Sequence, residues 1–164
     1  MTAALQQETF FPQIADPRYF NHHTFIRILG WGFLGEFIKR MVDTTVYTIG
    51  QSGLLLDDCV AYLTARGKME NPDAPLVANL LPDQAWHVLQ LYNEEYRELC
   101  MALAGQWLRH DPAGEAALVN RAEDTARTVA LFQLHGIGYH PELWEDHRLF
   151  PNGGEVIRTG IRPR

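Results

Sequence analysis

The segment from Phe25 to Ile49 constrains the fold more than any other part of the chain. It reads FIRILGWGFLGEFIKRMVDTTVYTI and has helical periodicity, yet it is apolar almost all the way round. Its charged residues share one narrow arc, except for Arg27 on the opposite side. A helix on the surface of a globular protein carries one apolar stripe and a broad polar face. This helix is therefore predicted to be enclosed on most sides, either as the central helix of a bundle or as a subunit interface.

Three glycines lie among large apolar side chains within this predicted helix. Gly30, Gly32 and Gly35 each cost about 1 kcal/mol of helix stability relative to alanine. Because such a cost needs a reason, we predict that the backbone of another segment packs closely against the helix at these glycines. The large side chains are the predicted interface. They are Phe25, Ile28, Trp31, Phe33, Leu34, Phe37, Ile38 and Met41.

Caps, glycines and prolines divide the rest of the chain into helices. The predicted helices are a short one over 16–21, the long one over 24–48, a second over 54–66, a third over 82–110 and a fourth over 113–135. Ser52 is the predicted cap of the second helix and Gly67 its end. The predicted fold class is all-α, a four-helix-type bundle in one domain over 1–164. The bundle spans 16–136, between irregular arms at 1–15 and 137–164.

Composition restricts the function classes. The chain has 164 residues, 46% of them hydrophobic, which suffices for one core. A net charge of −6 with scattered basic residues disfavours nucleic-acid binding. Cys59 and Cys100 lack the close spacing of a zinc or redox pair, so reduced thiols are expected, with one long-range disulfide as the alternative. The N-terminus has no basic signal region and no apolar run is long enough to span a membrane, so a cytoplasmic protein is predicted.

The densest polar cluster is HGIGYHPELWEDH, residues 135–147. Imidazole and carboxylate together suit Zn²⁺, Fe²⁺ or Mn²⁺, so His135, His140, His147 and Glu145 are the predicted ligands of a divalent transition metal. Their spacing matches no established metal motif, and His135 could instead bind the last carbonyls of its helix. A metal site here is therefore an alternative to a purely structural role.

Two other polar groups have weaker claims to chemistry. His87, Glu94 and Glu98 share the side of the predicted third helix opposite its apolar face, which favours a solvated surface unless another subunit covers it. Asp57 and Asp58 are adjacent, so their side chains point about 100° apart on a helix and do not form a shared-proton pair. A structural role is predicted for both aspartates.

No catalytic motif stands out: Ser52 is the sole serine, and no phosphate-binding loop is present. The prediction is a small cytoplasmic helical subunit without catalytic chemistry of its own, acting through assembly with itself, as a homodimer or larger, or with another protein subunit. One alternative is a metal-dependent enzyme using residues 135–147. Another is a binder of apolar small molecules, in a core pocket lined by aromatic side chains. These are Phe33, Phe37, Tyr92, Tyr96, Trp107 and Phe132.

Overall fold

The computed structural model describes residues 19–110 and 121–145, which form helices joined by loops. The helices are α1 (His22–Thr44), α2 (Ile49–Lys68), α3 (Leu80–Leu89), α4 (Asn93–Ala104), α5 (Arg121–His135) and α6 (Glu142–Glu145). The all-α prediction is confirmed, whereas the finer four-helix-bundle arrangement remains a prediction. The predicted arm at 1–15, the predicted short helix before α1 up to residue 18, and the chain beyond 145 lie outside the described residues.

The centre of the fold is α2. This helix packs against α1, α3, α4 and α5. Thirteen of its 20 residues are buried, compared with seven of 23 in α1. The central position therefore belongs to α2 rather than to the glycine-rich helix α1, because α1 keeps a solvated strip of charged side chains. The strip consists of Glu36, Lys39, Arg40 and Asp43.

The predicted reason for the glycines of α1 is wrong for two of them. A Cβ atom built at Gly30 or Gly32 would meet none of the described atoms within 4 Å, so no backbone approaches there. Gly30 instead has φ 85° and ψ 163°, a conformation that interrupts the helix and that other residues rarely adopt. Close approach occurs at Gly67 in α2, where a Cβ would lie 2.3 Å from the carbonyl oxygen of Leu103.

Helix α2 begins earlier and ends later than predicted. Thr48 and Gln51 form a capping box, with Gln51 N donating to Thr48 Oγ1 at 3.2 Å and Thr48 N donating to Gln51 Oε1 at 3.0 Å. Because this cap precedes the glycine-containing stretch, residues 50–53 are helical, although they lie between the predicted helices over 24–48 and 54–66. Ser52 is buried inside the helix, and Gly67 lies within its last turn.

The predicted third helix is two helices. The chain turns at residues 90–92, where Leu91 N donates to the carbonyl of Val88 and Tyr92 N to that of Leu89, both at 3.1 Å. The continuous face predicted for His87, Glu94 and Glu98 therefore does not exist. Helix α4 then ends at Gly105, whose φ of 69° reverses the chain direction. The segment 105–110 carries the chain back to α3.

The predicted interface residues are mostly enclosed by their own chain. Phe25, Phe33, Leu34, Phe37, Ile38 and Met41 are buried in the core, whereas Ile28 and Trp31 are half-buried. Part of the enclosure is aromatic, since the rings of Phe33 and Tyr92 meet edge to face at 5.0 Å. In the described parts of the chain, every helix is too short or too polar to cross a membrane.

Candidate metal centre

Histidine and aspartate side chains converge at two places among the described residues. In each group the potential ligand atoms lie within 4.8 Å of one another. The open cluster consists of Asp83, His87 and His110, and the buried cluster consists of Asp57, Asp58 and His140.

The open cluster is assembled from α3 and from the segment that follows α4. Asp83 and His87 are four residues apart on α3, so their side chains lie on the same face, one turn apart. His110 Nε2 lies 2.9 Å from Asp83 Oδ1 and 2.9 Å from His87 Nε2. His87 Nε2 lies 3.3 Å from Asp83 Oδ2. Both imidazole nitrogens therefore lie near the carboxylate of Asp83, one beside each of its oxygens.

These separations fit ligands of a single ion. Two atoms that each lie about 2.1 Å from a common metal are about 3.0 Å apart at a right angle and about 3.4 Å apart at the tetrahedral angle. The observed distances lie close to these values: 2.9 Å between the two imidazole nitrogens, 2.9 Å from His110 Nε2 to Asp83 Oδ1 and 3.3 Å from His87 Nε2 to Asp83 Oδ2. Two imidazoles and one carboxylate on adjacent positions resemble the ligand set that holds Fe²⁺ or Zn²⁺ with further positions open.

The open cluster reaches the protein surface on one side. The side chain of His87 is 47% exposed, whereas those of Asp83 and His110 are 15% and 9% exposed. Asp83 and His110 are thus mostly enclosed by the fold, whereas the exposed side of His87 gives solvent, an ion or a small molecule access to the cluster.

The position of His110 is supported by buried neighbours. The rings of Trp86 and His110 pack with centroids 4.2 Å apart. Trp86 Nε1 donates to the hydroxyl oxygen of Tyr96 at 2.9 Å, and that hydroxyl donates to the carbonyl of Leu108 at 2.6 Å. The segment that carries His110 is therefore anchored by α3 and α4 rather than free to move away.

The buried cluster has a different role, and Asp57 shows it first. Its Oδ1 accepts the backbone N–H groups of Asn21 at 2.7 Å and His22 at 3.0 Å, and its Oδ2 accepts that of Phe20 at 3.1 Å. The first N–H groups of a helix have no partner within the helix. The carboxylate of Asp57, which lies on α2, accepts N–H groups at the start of α1 and therefore caps that helix.

Asp58 binds the segment that follows α5 in the same way, through His140 and Trp144. Its Oδ1 accepts His140 Nδ1–H at 2.6 Å, and its Oδ2 accepts the backbone N–H of His140 at 3.1 Å and the indole N–H of Trp144 at 2.8 Å. Every carboxylate oxygen of Asp57 and Asp58 thus accepts N–H groups already. A metal ion would have to displace these donors, so the buried cluster is a structural clamp.

Burial changes the proton affinities around this clamp. It raises the pKa of Asp57 to about 6, against the lowering effect of its backbone hydrogen bonds. It also raises the pKa of Asp58. Burial lowers the pKa of His22 to about 4, although the ring Nε2 bonds the carbonyl of Gly53 at 2.8 Å. Each of these pKa shifts has burial as its largest cause, because burial disfavours the charged form of a side chain.

The metal ligands predicted from the sequence are not brought together as a set in the described parts. His135 is exposed in the last turn of α5 and belongs to neither cluster, whereas His140 belongs to the buried cluster. His147 and the side chain of Glu145 lie outside the described residues. Sequence reasoning noticed His87 but missed Asp83 and His110. The four-residue spacing of Asp83 and His87 on a helix was the available signal.

Fold and site together define a helical protein with a two-histidine, one-carboxylate cluster at its surface. Comparison with protein families, with characterised proteins and with solved structures finds no match for this chain.

Proposed function

We propose that this protein binds one divalent transition-metal ion at the open cluster, with Asp83, His87 and His110 as ligands. The observation that carries the proposal is the position of His110 Nε2, which lies 2.9 Å from both a carboxylate oxygen and a second imidazole nitrogen. One ion accepts lone pairs from all three groups at once. Zn²⁺ and Fe²⁺ are the ions that this ligand set suits best.

Three protein ligands leave coordination positions for water or substrate, as catalytic metal sites do. A Zn²⁺ ion in such a site lowers the pKa of bound water to about 7 and polarises carbonyl or phosphoryl oxygens. The proposal therefore includes metal-dependent chemistry of the Lewis-acid class. It relocates the metal site suggested by the sequence from residues 135–147 to Asp83, His87 and His110.

Metal titration of tag-free protein tests the proposal. Apoprotein titrated with Zn²⁺, Mn²⁺ and, without oxygen, Fe²⁺ is expected to bind one ion per chain. The variants His87→Ala and His110→Ala are expected to lose this binding. The control His135→Ala removes an exposed imidazole outside both clusters and is expected to bind as the wild type does. Equal binding by all three variants would exclude the open cluster as the site.

Assembly with itself or with another subunit is a second proposal, supported by apolar surface that the described chain leaves uncovered. Ile28 and Trp31, from the interface predicted by the sequence, keep part of their surface exposed. Leu91 is 62% exposed at the turn between α3 and α4. Sedimentation at micromolar concentration distinguishes a monomer from a dimer, and a monomer at all concentrations contradicts self-assembly.

A further inference from the structure

We infer that Arg66 is a positioning residue for His110 and thereby sets the metal affinity of the open cluster. The inference rests on the proposed function, because it concerns how the third ligand of that site is held. Arg66 lies near the end of α2, is 5% exposed and is not itself a metal ligand.

The guanidinium of Arg66 links two segments of backbone. Its Nη1 donates to the carbonyl of Arg109 at 3.0 Å, one residue before His110. Its Nε and Nη2 donate to the carbonyl of Pro72 at 2.9 and 2.6 Å. Because α2 is the central helix, these bonds attach the segment before His110 to the most buried part of the fold.

The charge of Arg66 makes this arrangement unusual. Among the described residues no carboxylate lies within salt-bridge distance of its side chain. Its Cζ instead lies 5.9 Å from the ring centroid of Tyr62 and 5.7 Å from that of Trp86. Burying a charge without an ion partner costs desolvation free energy, and contacts with aromatic faces and carbonyl oxygens offset only part of this cost. A role in positioning the backbone carbonyls of Arg109 and Pro72 explains why a buried arginine occupies position 66.

Two routes connect Arg66 to the imidazole of His110. One is the hydrogen bond to the adjacent carbonyl of Arg109. The other is the indole of Trp86, which faces the guanidinium and packs 4.2 Å from the His110 ring. The neighbouring Gly67 allows α4 to approach α2 closely, so the segment that returns to α3 starts from a defined point.

Only the planar, forked guanidinium can donate to both carbonyls while facing the indole. Lysine keeps the charge but carries one compact ammonium group, and glutamine keeps donors without the charge. Substitution should let the segment 108–110 relax and should misplace His110 Nε2. Changes to groups that support metal ligands reduce affinity by about 10–100-fold, and a loss near the lower end is expected here.

The experiment compares Zn²⁺ affinity and the visible spectrum of the Co²⁺-substituted protein for Arg66→Lys, Arg66→Gln and the exposed control Arg97→Gln. Both Arg66 variants are expected to bind one ion about tenfold more weakly and to show shifted Co²⁺ bands. The control is expected to match the wild type. Wild-type affinity with an unchanged Co²⁺ spectrum in either folded Arg66 variant overturns the inference while leaving the metal site intact.

A measurement on the wild-type protein covers the case in which neither variant folds. In ¹⁵N-arginine-labelled protein, saturation with Zn²⁺ is expected to shift the Nε–H resonance of Arg66 and to leave that of Arg97 in place. An unmoved Arg66 resonance in a protein that has bound the ion also overturns the inference. Failure of the wild type to bind any metal is a different result, which removes the proposed function and this inference together.

Discussion

The Nε2 atoms of His87 and His110 lie 2.9 Å apart, although the residues are 23 positions apart in the chain. Two imidazole nitrogens approach each other this closely when a proton or a metal ion lies between them. The approach depends on the turn between α3 and α4 and on the chain reversal at Gly105. The open cluster is therefore a product of chain topology rather than of a local motif.

Zinc should stabilise the folded protein. A ligand that binds only the native state at a hundred times its dissociation constant adds about 2.7 kcal/mol to the free energy of unfolding. Urea denaturation of the wild type with and without Zn²⁺ measures this gain, which His110→Ala should abolish. A similar gain in His110→Ala would show that zinc acts elsewhere.

A matched pair of glycine substitutions tests the packing of α2. Gly67→Ala should destabilise the protein, because its Cβ would lie 2.3 Å from the carbonyl oxygen of Leu103, and backbone must shift to relieve the contact. Gly32→Ala should stabilise it by about 1 kcal/mol, since the position is helical and its surroundings are open. Thermal or urea unfolding measures the change in the free energy of unfolding, which should be negative for Gly67→Ala and positive for Gly32→Ala. Stabilisation by Gly67→Ala would contradict the close approach of α2 and α4.

Loss of the Asp57 clamp should destabilise the start of α1. Asp57→Asn replaces one acceptor oxygen with an N–H₂ group that faces backbone donors, at an expected cost of about 1–3 kcal/mol. Hydrogen exchange of the first turn of α1 should accelerate in parallel. The control Asp43→Asn removes a carboxylate from an exposed pair with Lys39 and should leave stability nearly unchanged. Equal effects of the two substitutions would argue against the clamp.

The pH dependence of stability should reveal two opposing groups near α1. The pKa of His22 is lowered from 6.5 to about 4, so the unfolded chain binds the extra proton between these values and stability rises with pH. The pKa of Asp57 is raised from 3.8 to about 6, so the folded protein binds the extra proton there and stability falls with pH. The two contributions oppose each other between about pH 4 and 6.

Single substitutions should separate these contributions. Relative to the wild type, His22→Gln should lose stability as the pH rises from 4 to 6, whereas Asp57→Asn should gain it. Each slope is limited to about 1.4 kcal/mol per pH unit for one proton. Urea denaturation at intervals of half a pH unit measures both. Parallel curves for the wild type and both variants would contradict the shifted pKa values.

Local sequence signals predicted the helical class and the end of α5 correctly. Gly136 follows the last residue of α5 with φ 64°, and Ile137 N donates to the carbonyl of Phe132 at 2.8 Å, as expected for a glycine-terminated helix. The start of α2 was misplaced because Ser52 and its flanking glycines resembled a helix start more than Thr48 did. Both caps are allowed locally, and burial of residues 52 and 53 in the core selects the earlier one.

The amino-acid sequence by itself determined that this chain forms apolar helices separated by capped and glycine-containing turns, because helix periodicity and capping act over a few residues. Only the tertiary structure decided that α2 lies at the centre, that Asp57 and Asp58 hold distant segments, and that His110 returns to Asp83 and His87. Those relationships join residues far apart in the chain, and they depend on how helices pack and where the chain turns. No local pattern encodes them.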